Sequence, residues 1–293
     1  MADPAGGQVV GPAGGPVLAQ TVDLNGDLDD QIAVLDIGLT GPGQSAPARR
    51  ALVLSFGGLL GYLGVNSDGL AIGLNLVLGG RWRPGVPPYL AIRHLLDSAA
   101  SVQQALSILR ELPLASSRSL MLCDPDTVAC VEICENQVLV LDMARPVHTN
   151  HFLHPEFTGA DELNIFARNS SLLRLKACEA GLAALSDASG VAEHFALLAQ
   201  PTICVAGNGD IRRERTVAAV VLLPGRRELH LRPGDPSVSS TQSFTFTDTG
   251  AAASATGGPV TGGRATGGSA TGGRATGGRA TGGRATGRAG GTS

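Results

Sequence analysis

The chain opens its patterned part with apolar blocks of strand length separated by short polar breaks. Pro16 to Val22, Gln31 to Ile37, Arg50 to Phe56 and Leu59 to Val77 are predicted as strands, the last interrupted by the turn-like Asn66-Ser67-Asp68-Gly69. The period then becomes helical. One helix is expected from Pro87-Pro88, where missing N–H groups cost nothing, through LAIRHLLDSAA. A second starts at the capping box Ser101-x-x-Gln104, presents Leu106, Leu109 and Leu112, and stops at Pro113. A β-meander follows as SLMLCD, VACVEIC and QVLVLDM, with DPDT and EN turns between them. A second helical block covers roughly Asn164 to Leu185 and Gly190 to Gln200. Strands return at Thr216 to Leu223, Glu228 to Arg232 and Ser243 to Thr247. Helices in segregated pairs between runs of antiparallel strand describe an α+β layered fold, two stacked sheets between helical layers, and not the strict βαβ alternation of a Rossmann sheet.

The pattern ends near residue 249. Beyond it, residues 250–293 repeat TGGRA at 261, 271, 276 and 281 and TGGSA at 266, with 16 Gly, five Arg, no acidic residue and no aromatic. Such text has nothing to bury, and the ordering entropy of about 1–2 kcal/mol per residue goes uncompensated, so disorder is expected for 250–293. The domain is expected to span 1–249. The whole chain carries 22 basic and 25 acidic side chains, net −3; without the five tail arginines the body holds 17 against 25, net −8. An acidic body argues against nucleic acid or an anionic membrane as a partner. No apolar run approaches the ~20 residues of a membrane span, and the start MADPAGGQVV lacks the basic and apolar regions of a signal peptide. A cytoplasmic protein is expected. The five cysteines, an odd number, read as free thiols.

Little in the residues alone announces chemistry. His148, His151 and His154 in VHTNHFLHP lie at i, i+3 and i+6, which converges on a metal only in particular turns; no acidic cluster accompanies them, so no metal or other cofactor is expected. Cys123, Cys130 and Cys134 sit in apolar strand text without a CxxC pair and read as buried hydrophobe-like thiols. Gly57-Gly58 and Gly79-Gly80 open no helix and precede no P-loop Lys, and no GxSxG elbow occurs. The polar island HTNH has two readings. Asn150 either shapes a turn through its own backbone or donates an amide N–H to a developing oxyanion.

Several segments taken together carry a resemblance: LAQTVD (18–23), GYLGVNSDGLAIGLNLV (61–77), RPGVPPYLAIRHLLDS (83–98), VHTNHFLHP (147–155) and LHLRPGDP (229–236). They are similar, in order and over nearly the whole body, to the peptidase C45 family, the acyl-CoA:6-aminopenicillanate acyltransferase-like proteins of the N-terminal nucleophile (Ntn) hydrolase superfamily. The resemblance implies a four-layer αββα sandwich in which self-cleavage exposes a Cys whose thiol attacks an amide while its own α-amine serves as base. The implied partner is a small-molecule amide or acyl substrate. Asp23 resembles the family's Asp that orders the nucleophile's surroundings, Asn150 the oxyanion Asn of HTNH, and Asn75 a second oxyanion amide. Arg213 falls by spacing near an Arg that contacts the catalytic centre, with Arg212 and Arg215 as alternatives. The loop 81–88, with Trp82, is a candidate pocket wall.

One departure stands out. The family's nucleophile lies roughly twenty residues before that Asp, where this chain has Met1, Ala2, Asp3, Pro4 and Ala5, and the first Cys is Cys123. Two expectations follow: a Cys lies upstream of Met1 in the complete reading frame, or the chain is a member without catalysis that binds a small amide or acyl ligand.

Overall fold

The computed structural model describes residues 15–246 except 26, 27, 29, 30, 41–48, 144, 187 and 211; the expected tail at 250–293 lies outside the described residues. Two antiparallel sheets stack face to face between two helical layers, giving the αββα sandwich. The larger sheet has seven strands in chain order: β2 (Ile32–Gly38), β3 (Arg50–Phe56), β4 (Leu63–Asn66), β5 (Ala71–Asn75), β6 (Arg118–Cys123), β7 (Val128–Cys134) and β8 (Gln137–Leu141). The smaller sheet is ordered β1 (Leu18–Asn25), β9 (Glu214–Leu223), β10 (Glu228–Pro233), β11 (Gln242–Phe244). The first strand thus pairs with a strand almost two hundred residues later, a non-local closure that no local pattern encodes.

Helices α1 (Pro88–Ser98) and α2 (Val102–Glu111) cover the outer face of the seven-stranded sheet, and α3 (Ile165–Ala184) and α4 (Val191–Leu198) that of the smaller one. The capping expectations hold with one adjustment. Ser101 Oγ accepts from Gln104 N at 3.3 Å, while Gln104 Oε1 reaches back to Ala100 N at 2.8 Å, one residue before the cap itself. Asn164 caps α3 by accepting from the N–H groups of Phe166 and Ala167.

Strand β9, VAAVVLL after its first three residues, is apolar at every one of those positions because both of its faces are covered. Ala218, Val220 and Leu222 join the main core between the sheets, and Ala219 and Val221 join a second cluster with Phe195, Leu197 and Leu198 of α4. The alternation breaks at Val217, which also faces the main core. There β1 and β9 change register, from Val22 opposite Ala218 to Asp23 opposite Thr216, leaving Val217 as the extra residue of a bulge.

Asn66, in the NSDG turn, serves the fold. Its Oδ1 accepts from Asp68 N and Leu70 N while its Nδ2 donates to Leu96 O and Ala99 O, tying the β4–β5 hairpin to the end of α1. Gly69 beside it adopts φ +98°, where a side chain would be strained.

Candidate active site

The strand ends of the two sheets meet around one cavity of about 650 Å³. The ends of β1 and β5 and the starts of β6 and β9 border it, so Asp23, Asn75, Arg118 and Glu214 all reach it, joined by Asn150 and Arg174 from the opposite wall. The bulge places Asp23 directly opposite Thr216, whose hydroxyl donates to Asp23 Oδ1 at 2.7 Å and accepts from Val205 N at 2.9 Å. Burial raises the Asp23 carboxyl above its usual pKa, with the Thr216 hydroxyl and the Arg174 charge opposing the rise.

Asn75 ends β5, and its Nδ2 donates to His148 O at 3.3 Å. Gln20 of β1 fastens the smaller sheet to this strand: its Oε1 accepts from Leu74 N at 3.0 Å and its Nε2 donates to Leu74 O. Gly73 makes room for that crossing, since a Cβ there would stand 2.5 Å from Gln20 Oε1.

The HTNH segment is anchored on two sides. Glu132, fully buried in β7, receives His148 Nε2 at 2.7 Å, Leu153 N at 2.6 Å and His154 N at 3.0 Å. Burial works to raise this carboxyl, but the His148 ring and the two backbone donors outweigh it and hold it below its usual range. From the other side Ser171 of α3 accepts from Asn150 N at 2.8 Å, bonds His151 Nδ1 at 2.7 Å and donates to Thr149 Oγ1 at 2.9 Å. Arg174, one turn further along α3, donates to Asn150 Oδ1 at 2.8 Å, and Asn150 Nδ2 donates to Leu76 O at 2.9 Å. The amide orientation is thereby fixed, because only an oxygen can accept from Arg174. One N–H of each Nδ2, on Asn75 and on Asn150, is left over for a ligand.

The structure therefore brings Asp23, Asn75 and Asn150 to one cavity. Arg213 lines the rim of the same cavity with its side chain 73 % exposed, 4.0 Å from Asp210, and Arg212 pairs with Asp210 beside it; Arg215 is half-buried on β9. The cation that touches Asn150 is Arg174. Trp82 is exposed, and loop 81–88 lines neither this cavity nor the smaller one described next.

A narrower chamber of about 110 Å³ adjoins it, sharing Gln20, Thr21, Asn75 and Arg174, and is walled by apolar residues including Val17, Met121, Leu182 and Leu198. Cys178 lines it, its thiol pushed up to about 11 by burial, and burial takes buried Cys130 to about 12. Thiols so shifted are poor nucleophiles near neutral pH. The three histidines go separate ways: His148 to Glu132, His151 to Ser171, and His154 accepts from Glu156 N at 3.3 Å. Among the described residues no group of three or more His, Cys, Asp or Glu could hold a metal ion, and no helix is long and apolar enough to cross a membrane.

Ser171, Arg174, Glu132, Gln20 and Thr216 escape a reading of the sequence. Glu132 alone leaves a trace there, as the one charge inside the apolar run VACVEIC.

Two sheets stacked between helices, with strand ends opening on a cavity, define the fold of the Ntn hydrolases. Within that class the chain belongs to the acyl-coenzyme A:6-aminopenicillanic acid acyl-transferase family, whose model matches residues 12–237. Among solved structures it is similar to conjugated bile acid hydrolase from Clostridium perfringens (variant R18L in that protein's numbering; TM-score 0.59, 10% identity, covering 85% of this chain and 99% of that one). It is also similar to penicillin V acylase from Agrobacterium tumefaciens (0.54, 13%, 81% and 84%) and to a Caenorhabditis elegans N-acylethanolamine-hydrolyzing acid amidase ortholog (0.51, 14%, 74% and 92%). A search of the curated proteins gave no match.

Proposed function

We propose that the protein is an amide hydrolase or acyltransferase that acts on a small acylated amine or peptide through an acyl-thioester. The observation that carries this reading is the pair of amides, Asn75 and Asn150, held on one cavity with a spare N–H each and with Asp23 close by. Donors fixed before the reaction stabilise a tetrahedral oxyanion without reorganising. The narrow apolar chamber suits the acyl group, and the wider polar cavity suits the amine.

In this reading a cysteine N-terminal to β1 supplies the thiol. Its α-amine, with an ordinary pKa near ~7.7–8, takes the thiol proton. Sulfur adds to the amide carbon, the oxyanion is held by Asn75 and Asn150, and the C–N bond breaks as the amine leaves with that proton. Water or an acceptor amine then attacks the thioester and releases the thiol. Asp23, braced by Thr216, orders the ground around the nucleophile, and the rim arginine Arg213, or its neighbours Arg212 and Arg215, faces the incoming substrate. Residues 1–14 hold no Cys, Ser or Thr and lie outside the described residues, so the cysteine is expected in coding sequence upstream of Met1. The domain of 1–249 supplies the other parts of this chemistry, and the free thiols fit a reducing cytoplasm.

A second reading, favoured by the lack of any Cys before Cys123, is a member without turnover that binds the same class of small amide. Mass spectrometry separates them. Protein expressed from the complete upstream frame and incubated with a phenylacetyl amide should show a processed N-terminus and an acyl adduct on the new terminal Cys. Reversible binding with no adduct and no processing would leave the second reading in its place.

A further inference from the structure

The 650 Å³ cavity has a charge opposite to that of its surroundings. Arg118, Arg174, Arg212 and Arg213 line it against Asp23 and Glu214, in a body with 17 basic and 25 acidic side chains. Three of the four arginines engage protein side chains through their polar atoms: Arg174 holds Asn150, with its own Nε left unpartnered, and Arg212 and Arg213 lie against Asp210.

Arg118 differs. It opens β6, is only 7 % exposed, and its guanidinium carbon stands 5.8 Å from the centre of the Tyr89 ring, which itself stacks on Tyr62. Its Nη1 donates to Ser117 O at 2.7 Å, and among the described residues it makes no other hydrogen bond and no ion pair. Nε–H and Nη2–H lie on the same side of a guanidinium and form the fork that grips a carboxylate in two parallel hydrogen bonds. In Arg118 that fork is the part left without an acceptor. Nε and Nη2 are not walled off by protein, so the open fork faces the water of the cavity, which a carboxylate can replace with two charge-assisted hydrogen bonds.

We propose that Arg118 is the specificity-determining residue for the amine half of the substrate, gripping a carboxylate side-on over Tyr89 while the scissile amide lies at Asn75 and Asn150. This rests on the amide-substrate reading above and narrows it to N-acyl amino acids and similar acids. Asn75 is paired with Ser119, the residue next to Arg118, so the two side chains leave neighbouring strands from opposite faces and reach one cavity because both stand at the same sheet end.

The test is calorimetric titration of the full chain with N-phenylacetylglycine, with its neutral glycinamide and with its aminomethylphosphonate counterpart. The acid should bind about ten- to a hundredfold more tightly than the glycinamide. Arg118→Met should abolish that preference while glycinamide affinity stays within about threefold, and Arg118→Lys, which keeps the charge but not the fork, should retain only part of it. Equal affinity for acid and glycinamide in the unaltered protein, or a preference that survives Arg118→Met, overturns the role of Arg118 and leaves the amide reading standing. The comparison in the unaltered protein needs no variant to fold. A phosphonate preferred over the acid by more than tenfold overturns the carboxylate assignment. If neither acid nor glycinamide binds, the proposal and the amide reading fall together.

Discussion

Two polar segments border the same cavity and are built in opposite ways. His148 to His151 is held by bonds that reach far along the chain, to Glu132 16 residues before, to Ser171 20 or more after, and from Asn150 to Leu76, 74 residues away. The rim segment 207–213 is as polar, yet the side-chain bonds of Asn208, Asp210 and Arg212 run to neighbours two residues away, and its arginines are exposed. Equal polarity thus gives a fixed wall in one place and an adaptable edge in the other. What differs is the sequence distance of the partners and their burial, since a buried polar group must keep its partner and a solvated one can exchange it for water. An oxyanion site needs the first kind of segment, and a substrate entrance tolerates the second.

The comparison can be broken at its strongest point. Glu132→Ala leaves His148 buried without its carboxylate and frees two backbone donors, and should cost about 3–5 kcal/mol, a fall in Tm on the order of 10 °C, read by thermal denaturation. Because the folded carboxyl is held below its usual pKa, its contribution is present above the ordinary carboxylate range and is lost as pH falls through the lowered value. The gap between variant and parent should therefore close in acid; a gap unchanged between about pH 7 and about pH 3 would contradict the assignment.

Asn150→Ala removes the donor and leaves the wall standing. If the protein works as proposed, its turnover should drop by about 10²–10³-fold, with a Tm much closer to that of the parent than Glu132→Ala. A variant that unfolds as readily as Glu132→Ala would mean that Asn150 serves the turn.

Asp23→Asn sharpens the contrast from a third side. The buried carboxyl has a raised pKa, so its contribution to stability is full below the ordinary carboxylate value and is lost as pH rises through the raised one. The amide variant should gain on the parent in Tm between acid and neutral pH while losing turnover; a variant equally stable at both ends contradicts the raised carboxyl.

At the rim, Arg213→Ala should change turnover by less than about threefold at physiological salt and leave Tm in place, because an exposed ion pair contributes little. A tenfold loss would show that the rim arginine reaches the reacting atoms and that the edge is less adaptable than its bonds suggest.

Much of the fold is legible residue by residue. Apolar alternation and Pro, Gly and Asn punctuation place the four α-helices and the described strands to within a few positions, although Leu59 and Leu60 lie ahead of β4, β9 begins two residues before the expected Thr216, and the short 3-10 turns at 158–160 and 224–226 are not read as helix. Asn75, Asn150 and Asp23 are visible because each sits in a recognisable motif. Arg174, Ser171 and Arg118 are not, because a single Arg or Ser in helix or strand text looks the same whether it faces water or a cavity.

By itself, then, the sequence determined the elements, their α+β order, the family and three side chains around the site, because local spacing and short motifs encode what each segment can form. Tertiary structure alone decided which of those side chains would be rigid and which cations would face the cavity. The bulge that sets Asp23 against Thr216, the docking of HTNH on Glu132 and α3, and the open fork of Arg118 all arise where strands distant in sequence end at one place. Their energetics come from burial, which exists only once the layers have closed.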